Sequence, residues 1–261
     1  MLKSLTGLLA AACLVSLLMG CTVPVPADAL QAGTKEEQLQ AMIELGKARL
    51  IQGDLPGALS ELSKAELISP GNSEIAHYLG LTYYRRKDYD KSISYYEKAL
   101  SLDPSKSEYK NNLGLVYLET KDYERARAQF EACLMDPIYG RPFLAHFNLG
   151  LLEEALGNFD EAEKIYQRIN VISPNYAPPF LRLAAIYFNR ENYRLAADFF
   201  LNAVRIETDY VEAYWGLAES YEKLGLRDEA AEAYGKVVVL APNTNMAMQA
   251  QSRARRVLGY E

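Results

Sequence analysis

The chain has 261 residues, 49% of them hydrophobic, and a net charge of −6 with both signs interspersed. That is enough apolar material for one folded unit or a repeat array, and the modest Gly and Pro content (16 and 11) speaks against a disordered or fibrous chain. No basic stripe is present, which argues against nucleic acid as a partner.

Residues 1–20 read as a secretory signal peptide. Lys3 supplies a positive start and Leu5 to Met19 an apolar stretch, shorter than the roughly 20 residues a membrane-spanning helix needs. The run Leu18-Met19-Gly20-Cys21 resembles the bacterial lipobox, in which a small residue precedes a Cys that is acylated and becomes the new N-terminus; Met19 is the one unusual choice. The resemblance implies lipidation at Cys21. Thr22 stands where an inner-membrane retention signal would have Asp, which points to the periplasmic face of the outer membrane. Several acyl chains, at about 0.8 kcal/mol per buried methylene, make a stable anchor. Residues 21–38 contain Pro24, Pro26 and Gly33, lack helical periodicity and are expected to form a flexible tether. Beyond Cys13 and Cys21 only Cys133 remains, so the body has no internal disulfide, and Cys133 is expected to be a small buried hydrophobe.

A Leu-Gly or Leu-Ala pair then recurs, at Leu45-Gly46, Leu79-Gly80, Leu113-Gly114, Leu149-Gly150, Leu183-Ala184 and Leu217-Ala218, with spacings of 34, 34, 36, 34 and 34. Twelve residues after each small residue stands another (Ala58, Ser92, Ala126, Ala162, Ala196, Ala230), and four further on a large one (Leu62, Tyr96, Phe130, Tyr166, Phe200, Tyr234). Pro70, Pro104, Pro174 and Pro242 close four of the units. A 34-residue period with these positions resembles the tetratricopeptide repeat (TPR) family. The resemblance implies an all-α fold: a right-handed superhelix, or α-solenoid, of six helix-turn-helix repeats at 39–72, 73–106, 107–140, 143–176, 177–210 and 211–244. Residues 245–261 would add an amphipathic capping helix, with Arg253, Arg255 and Arg256 on a solvated face.

Asp54, Asp88, Asp122, Asn158 and Asn192 lie between the two helices of their repeats and are residue types that cap helix N-termini. Each hairpin alone leaves an apolar face exposed, so stacking stabilises the array. Four departures stand out: Arg49 and Glu153 replace a usual Tyr, Thr208-Asp209 replaces the fifth closing Pro, and two extra residues precede repeat four.

In TPR solenoids the first helix of each repeat lines an inner groove. With the Gly of Leu-Gly counted as position eight, the groove positions are two, five, nine, twelve and thirteen. They supply Ile43, Leu50 and Ile51; His77, Leu81 and Tyr84; Asn111, Leu115 and Leu118; Leu144, Phe147 and Leu151; Leu181 and Phe188; and Trp215. So long an apolar stripe suits a peptide segment with apolar anchors. A chaperone-tail clamp of Lys, Asn and Arg is missing, its places being held by Ile43, Lys47, His77 and Leu81. Asn112 and Asn148, at position six, could form a two-rung ladder to a peptide backbone. The only His residues are His77 and His146, and no metal spacing, nucleophile elbow or phosphate loop is present. The expected function is a protein-binding scaffold, not an enzyme, with no cofactor, metal or small-molecule substrate.

The stretch from Asp136 to Gly150, with Asp136-Pro137-Ile138-Tyr139, Pro142 and Asn148-Leu149-Gly150, follows the pair Asn111-Asn112. Together with the lipobox, it resembles the type IV pilus pilotin family (the PilF, PilW and Tgl group). Those are six-repeat outer-membrane lipoproteins that escort the pilus secretin and promote its ring assembly. The resemblance implies a secretin segment as the partner and a lipid anchor at the membrane. The alternative is a general lipoprotein adaptor for envelope machinery, such as peptidoglycan enzymes or polysaccharide export.

Overall fold

The computed structural model describes residues 34–260. The expected signal peptide, the lipidation at Cys21 and residues 21–33 of the expected tether lie outside the described residues.

The described residues form thirteen α-helices and no strand: α1 (Lys35–Gln52), α2 (Leu55–Ile68), α3 (Ser73–Arg85), α4 (Tyr89–Leu102), α5 (Ser107–Glu119), α6 (Tyr123–Leu134), α7 (Pro142–Ala155), α8 (Phe159–Ile172), α9 (Pro178–Asn189), α10 (Tyr193–Ile206), α11 (Val211–Leu224), α12 (Arg227–Leu240) and α13 (Asn245–Val257). Successive pairs α1–α2 to α11–α12 are the six repeats, and each helix packs mainly on its chain neighbours, as a solenoid requires. α1 starts four residues before the expected boundary. Thr34 accepts from the Glu37 N–H while the Glu37 carboxylate takes the Thr34 N–H, a capping box that fixes the helix start inside the expected tether.

The recurring small and large residues meet within each hairpin. The Phe130 ring lies over Gly114 and the Tyr166 ring over Gly150, so close that a Cβ would come within 2.5 Å and 2.3 Å of ring carbons. Those rings are fully buried. In repeat two, the buried Ser92 hydroxyl also donates to the Gly80 carbonyl (2.8 Å) and pins α4 to α3. The small residues thus make room for a ring from the partner helix. Repeat five has Ala184 at the small position, and its Phe200 ring stands over Gly216 of repeat six, 2.1 Å from where a Cβ would be.

Three of the five expected caps form: Asp54, Asp122 and Asn192 accept from the N–H groups of Gly57, Arg125 and Leu195. Asp88 pairs with Lys91 (3.2 Å) and Asn158 donates to Glu153 (2.8 Å), so their side chains do not cap. The residue just before each of these turns is left-handed in all six repeats. It is Gly53, Gly157 and Gly225, but also Lys87, Lys121 and Glu191 at φ 59–62°. A non-glycine residue there costs about 1–2 kcal/mol.

The departures from the repeat pattern have physical reasons. Glu153 is buried and accepts from Arg127 of α6 (2.6 Å) as well as from Asn158, so an ion pair replaces the usual ring between repeats three and four. Arg49 pairs with Asp54 (3.0 Å). Asp136 holds the lengthened linker by accepting from the Ser107 hydroxyl (2.6 Å) and the Ile138 N–H (3.1 Å). Cys133 is fully buried, its thiol directed at the Ser107 carbonyl, and burial pushes its pKa up to about 11. α13 closes the stack through buried Ala247 and Ala250, and Arg253 reaches Glu219 (2.7 Å) and the Tyr234 hydroxyl (3.0 Å).

Candidate binding groove

The odd-numbered helices carry the expected groove positions, and position five divides them into two groups. In repeats one to three it holds Ile43, His77 and Asn111, all buried. In repeats four to six it holds Phe147, Leu181 and Trp215, all half-buried. Position five is thus turned into the seam with the neighbouring helix at one end of the array and left half-open at the other.

Several expected groove residues are therefore core. Ile43 and Leu50 are packed in the first repeat's core with Leu62 and Leu79. Burial in that seam leaves them no face for a partner. His77 is stacked on Tyr109 (ring centroids 4.6 Å apart) and set edge-on to Tyr78. Its Nδ1 is buried with no hydrogen-bond partner, and burial pushes its pKa down to about 4, against a smaller opposing effect of Glu108. The two-rung asparagine ladder also fails at one rung. The Asn148 amide is buried and donates to Asn111 Oδ1 (2.9 Å), because α7 and α5 approach closely enough to join their own amides. Asn112 is half-buried and lies near the Tyr96 hydroxyl. Ile51 is at the opposite extreme, 84% exposed at the last turn of α1.

The remaining residues do come together as a half-buried stripe: Leu81 and Tyr84 on α3, Leu115 and Leu118 on α5, Phe147 and Leu151 on α7, Leu181 and Phe188 on α9, and Trp215 on α11. Leu81, Tyr84, Leu115 and Leu118 lean on the core of repeats two to four.

Two clefts differ sharply along this surface. Between the starts of α3 and α5 lies a polar one of ≈ 640 Å³, lined by Glu74, Asp103, Lys106 and Glu108 around His77. Its charges are partly satisfied: Lys47 pairs with Glu74 (3.3 Å) and Arg141 with Glu108 (3.4 Å). Between α9 and α11 lies a smaller one of ≈ 270 Å³, walled by Leu181, Phe188 and Trp215 and floored by Ala185 and Gly216. Ala185 and Gly216 were not legible as site residues from their types. The signal was in the register, since position nine reads Leu81, Leu115, Leu151 and then Ala185.

Among the described residues no group of three or more His, Cys, Asp or Glu could hold a metal ion, and no helix is long and apolar enough to cross a membrane. The surface offers shape, apolar contact and carboxylates, the means of holding a polypeptide.

Comparison with known proteins agrees with this geometry. Tetratricopeptide-repeat models match residues 71–134, 139–177 and 212–244, together more than half of the chain. Among solved structures, Pseudomonas aeruginosa PilF superposes with a TM-score of 0.66 at 21% identity, over 84% of this chain and 98% of that one. PilW, described as a widely conserved type IV pilus biogenesis factor, gives 0.69 at 21% identity, over 81% and 97%. A tetratricopeptide repeat protein from Parabacteroides merdae gives 0.68 at 19% identity, over 87% and 90%. At such identities the likeness is one of fold, and it extends over most of each chain. The repeat matches, the helix pairs and the ring-over-glycine packing converge, and the chain belongs to the tetratricopeptide-repeat proteins.

Proposed function

We propose that this chain is a lipid-anchored scaffold that brings the type IV pilus secretin to the outer membrane and promotes its assembly into a ring. The observation that carries the reading is the half-buried apolar stripe on the odd-numbered helices, in a six-repeat array of the same extent as PilF and PilW. The lipobox at Cys21 and the stretch from Asp136 to Gly150 support it from the sequence.

A secretin subunit crosses the periplasm with unpaired strand edges, which invites aggregation. A groove that holds one extended segment, on a scaffold tethered through Cys21, would cover that segment and raise its local concentration where rings close. The Cys21 acyl chains supply the address and the solenoid supplies the grip. The test is an immunoblot for secretin in unheated outer membranes of a strain lacking this protein. Loss of heat-resistant multimers, with monomers present, is the expected result. Normal multimers would remove the pilus role and leave the general envelope adaptor. Replacing Cys21 with Ser should release the protein from membranes, and unchanged outer-membrane fractionation would remove the anchor.

A further inference from the structure

Between α9 and α11 the groove has an unfilled place. At position nine, repeats two, three and four each carry a Leu (Leu81, Leu115, Leu151), and repeat five carries Ala185. Facing it on α11 is Gly216, whose missing side chain is required by the Phe200 ring beneath it. The side chain absent at Ala185, above a floor of Gly216 and the Phe200 ring, leaves the ≈ 270 Å³ cleft between Leu181, Phe188 and Trp215. This is below the about 300–1,000 Å³ of ordinary small-molecule sites and suits one large side chain.

The charges around the cleft leave one carboxylate over. Arg182 is held by Glu154, and Arg253 lies over the Trp215 ring (5.2 Å) and pairs with Glu219 (2.7 Å). Glu212, exposed on the cleft wall, has no ion pair or hydrogen bond.

We propose that this cleft is the anchor subsite of the groove. It takes one large apolar side chain of an extended protein segment, and an adjacent Lys or Arg of that segment pairs with Glu212. The partner side chain takes the place that a position-nine leucine would have filled, against an aromatic wall of the kind that carries most binding energy in protein interfaces. The proposal rests on the scaffold reading but not on the pilus role.

Trp215 is the only tryptophan in the chain and stands in the cleft wall, so its fluorescence reports occupancy directly. The full-length protein in detergent is titrated with tryptophan-free synthetic peptides that carry a Phe-Lys pair in a neutral extended background, or Phe-Glu in its place. Expected is a saturable change with the Phe-Lys peptide and binding about tenfold weaker with Phe-Glu, as for one gained or lost charge contact. Ala185→Leu, which restores what the preceding repeats have, should weaken Phe-Lys binding about tenfold or more with an unchanged helical spectrum and melting temperature. Glu212→Gln should make the two peptides bind alike. No saturable response, or full-strength binding to a folded Ala185→Leu protein, would overturn the anchor subsite. Equal binding of the two peptides by the unmodified protein would overturn the pairing with Glu212. A fluorescence change that follows the protein's own concentration would assign the cleft to a second copy and overturn the proposal. Failure of the pilus role in the membrane immunoblot leaves these titrations unaffected, because they use only the purified chain.

Discussion

The cleft of repeats two and three and the cleft of repeats five and six both lie between the first helices of neighbouring repeats, the one at their starts and the other along their middles, and have opposite characters. In the first, the repeat positions are filled inward: His77 is inserted between rings, and the Asn148 amide joins Asn111 close by. What is left to solvent is carboxylate-rich. In the second, Ala185 leaves room above Gly216 that Leu181, Phe188 and Trp215 surround without filling. The difference teaches that one backbone register can give a stabilising plug or a receptive hollow, and that the packing partners of position five and the side-chain volume at position nine decide which.

The comparison predicts different sensitivities at the two ends. The largest effect belongs to the plug. His77 is neutral in the folded protein, its pKa pushed from 6.5 to about 4 by burial. Its contribution is intact above pH 6.5, the ordinary value, because neither state is then protonated. It is lost as pH falls from 6.5 towards 4, because the unfolded chain takes up the proton first. The loss amounts to roughly 3 kcal/mol, measurable as a fall in denaturant midpoint. His77→Phe should abolish this acid dependence, and an unchanged pH profile in that variant would detach the effect from the plug.

Next comes the floor of the hollow. Gly216→Ala sets a Cβ against the Phe200 ring, and overpacking of this kind costs typically 1–3 kcal/mol. A drop in melting temperature should follow, whereas Ala185→Leu a few ångströms away should leave it unchanged. The Asn111–Asn148 contact comes third. Asn148→Ala strands the buried Asn111 oxygen, at about 1–2 kcal/mol by thermal or chemical denaturation. The smallest change is a gain. Lys121→Gly removes a left-handed lysine and should stabilise the array by up to about 1 kcal/mol. A loss there would show that the lysine side chain contributes contacts outweighing its backbone strain.

Much of this fold is legible in the sequence because a solenoid repeats its instructions. The Leu-Gly pair, the ring four residues beyond the second small residue and the 34-residue spacing each recur, and helix pairs begin at Ser73, Ser107 and Val211, where the period places them. The groove is only half legible. Position five lies on the border between groove and seam, so its residue type alone does not tell which side it takes. Ile43 and Asn111 went inward, Phe147 and Trp215 outward. Leu81 and Leu115, at position nine, are no simpler as probes of the groove. Both lean on the repeat core, so a charge there would perturb folding together with binding, and Ala185 is the cleaner probe. Caps were legible by type and not by use, since Asp88 and Asn158 spend their side chains on Lys91 and Glu153. Ala185 and Glu212 were missed because a small residue and a solitary carboxylate carry no signal until the structure shows what surrounds them.

The face that α13 turns away from the stack carries Gln249, Ser252 and Arg255 with a single large apolar side chain, Met248, all exposed. A stack of helix pairs is in principle an open-ended polymer, because the surface that receives one hairpin also creates the surface for the next. Head-to-tail contacts of that kind generate filaments when they do not close into rings. By presenting mainly an amide, a hydroxyl and a guanidinium where another hairpin would expect a continuous apolar face, α13 acts as a chain terminator. It lowers the valence of this end of the array and so favours the groove along its length as the place where other polypeptides are held.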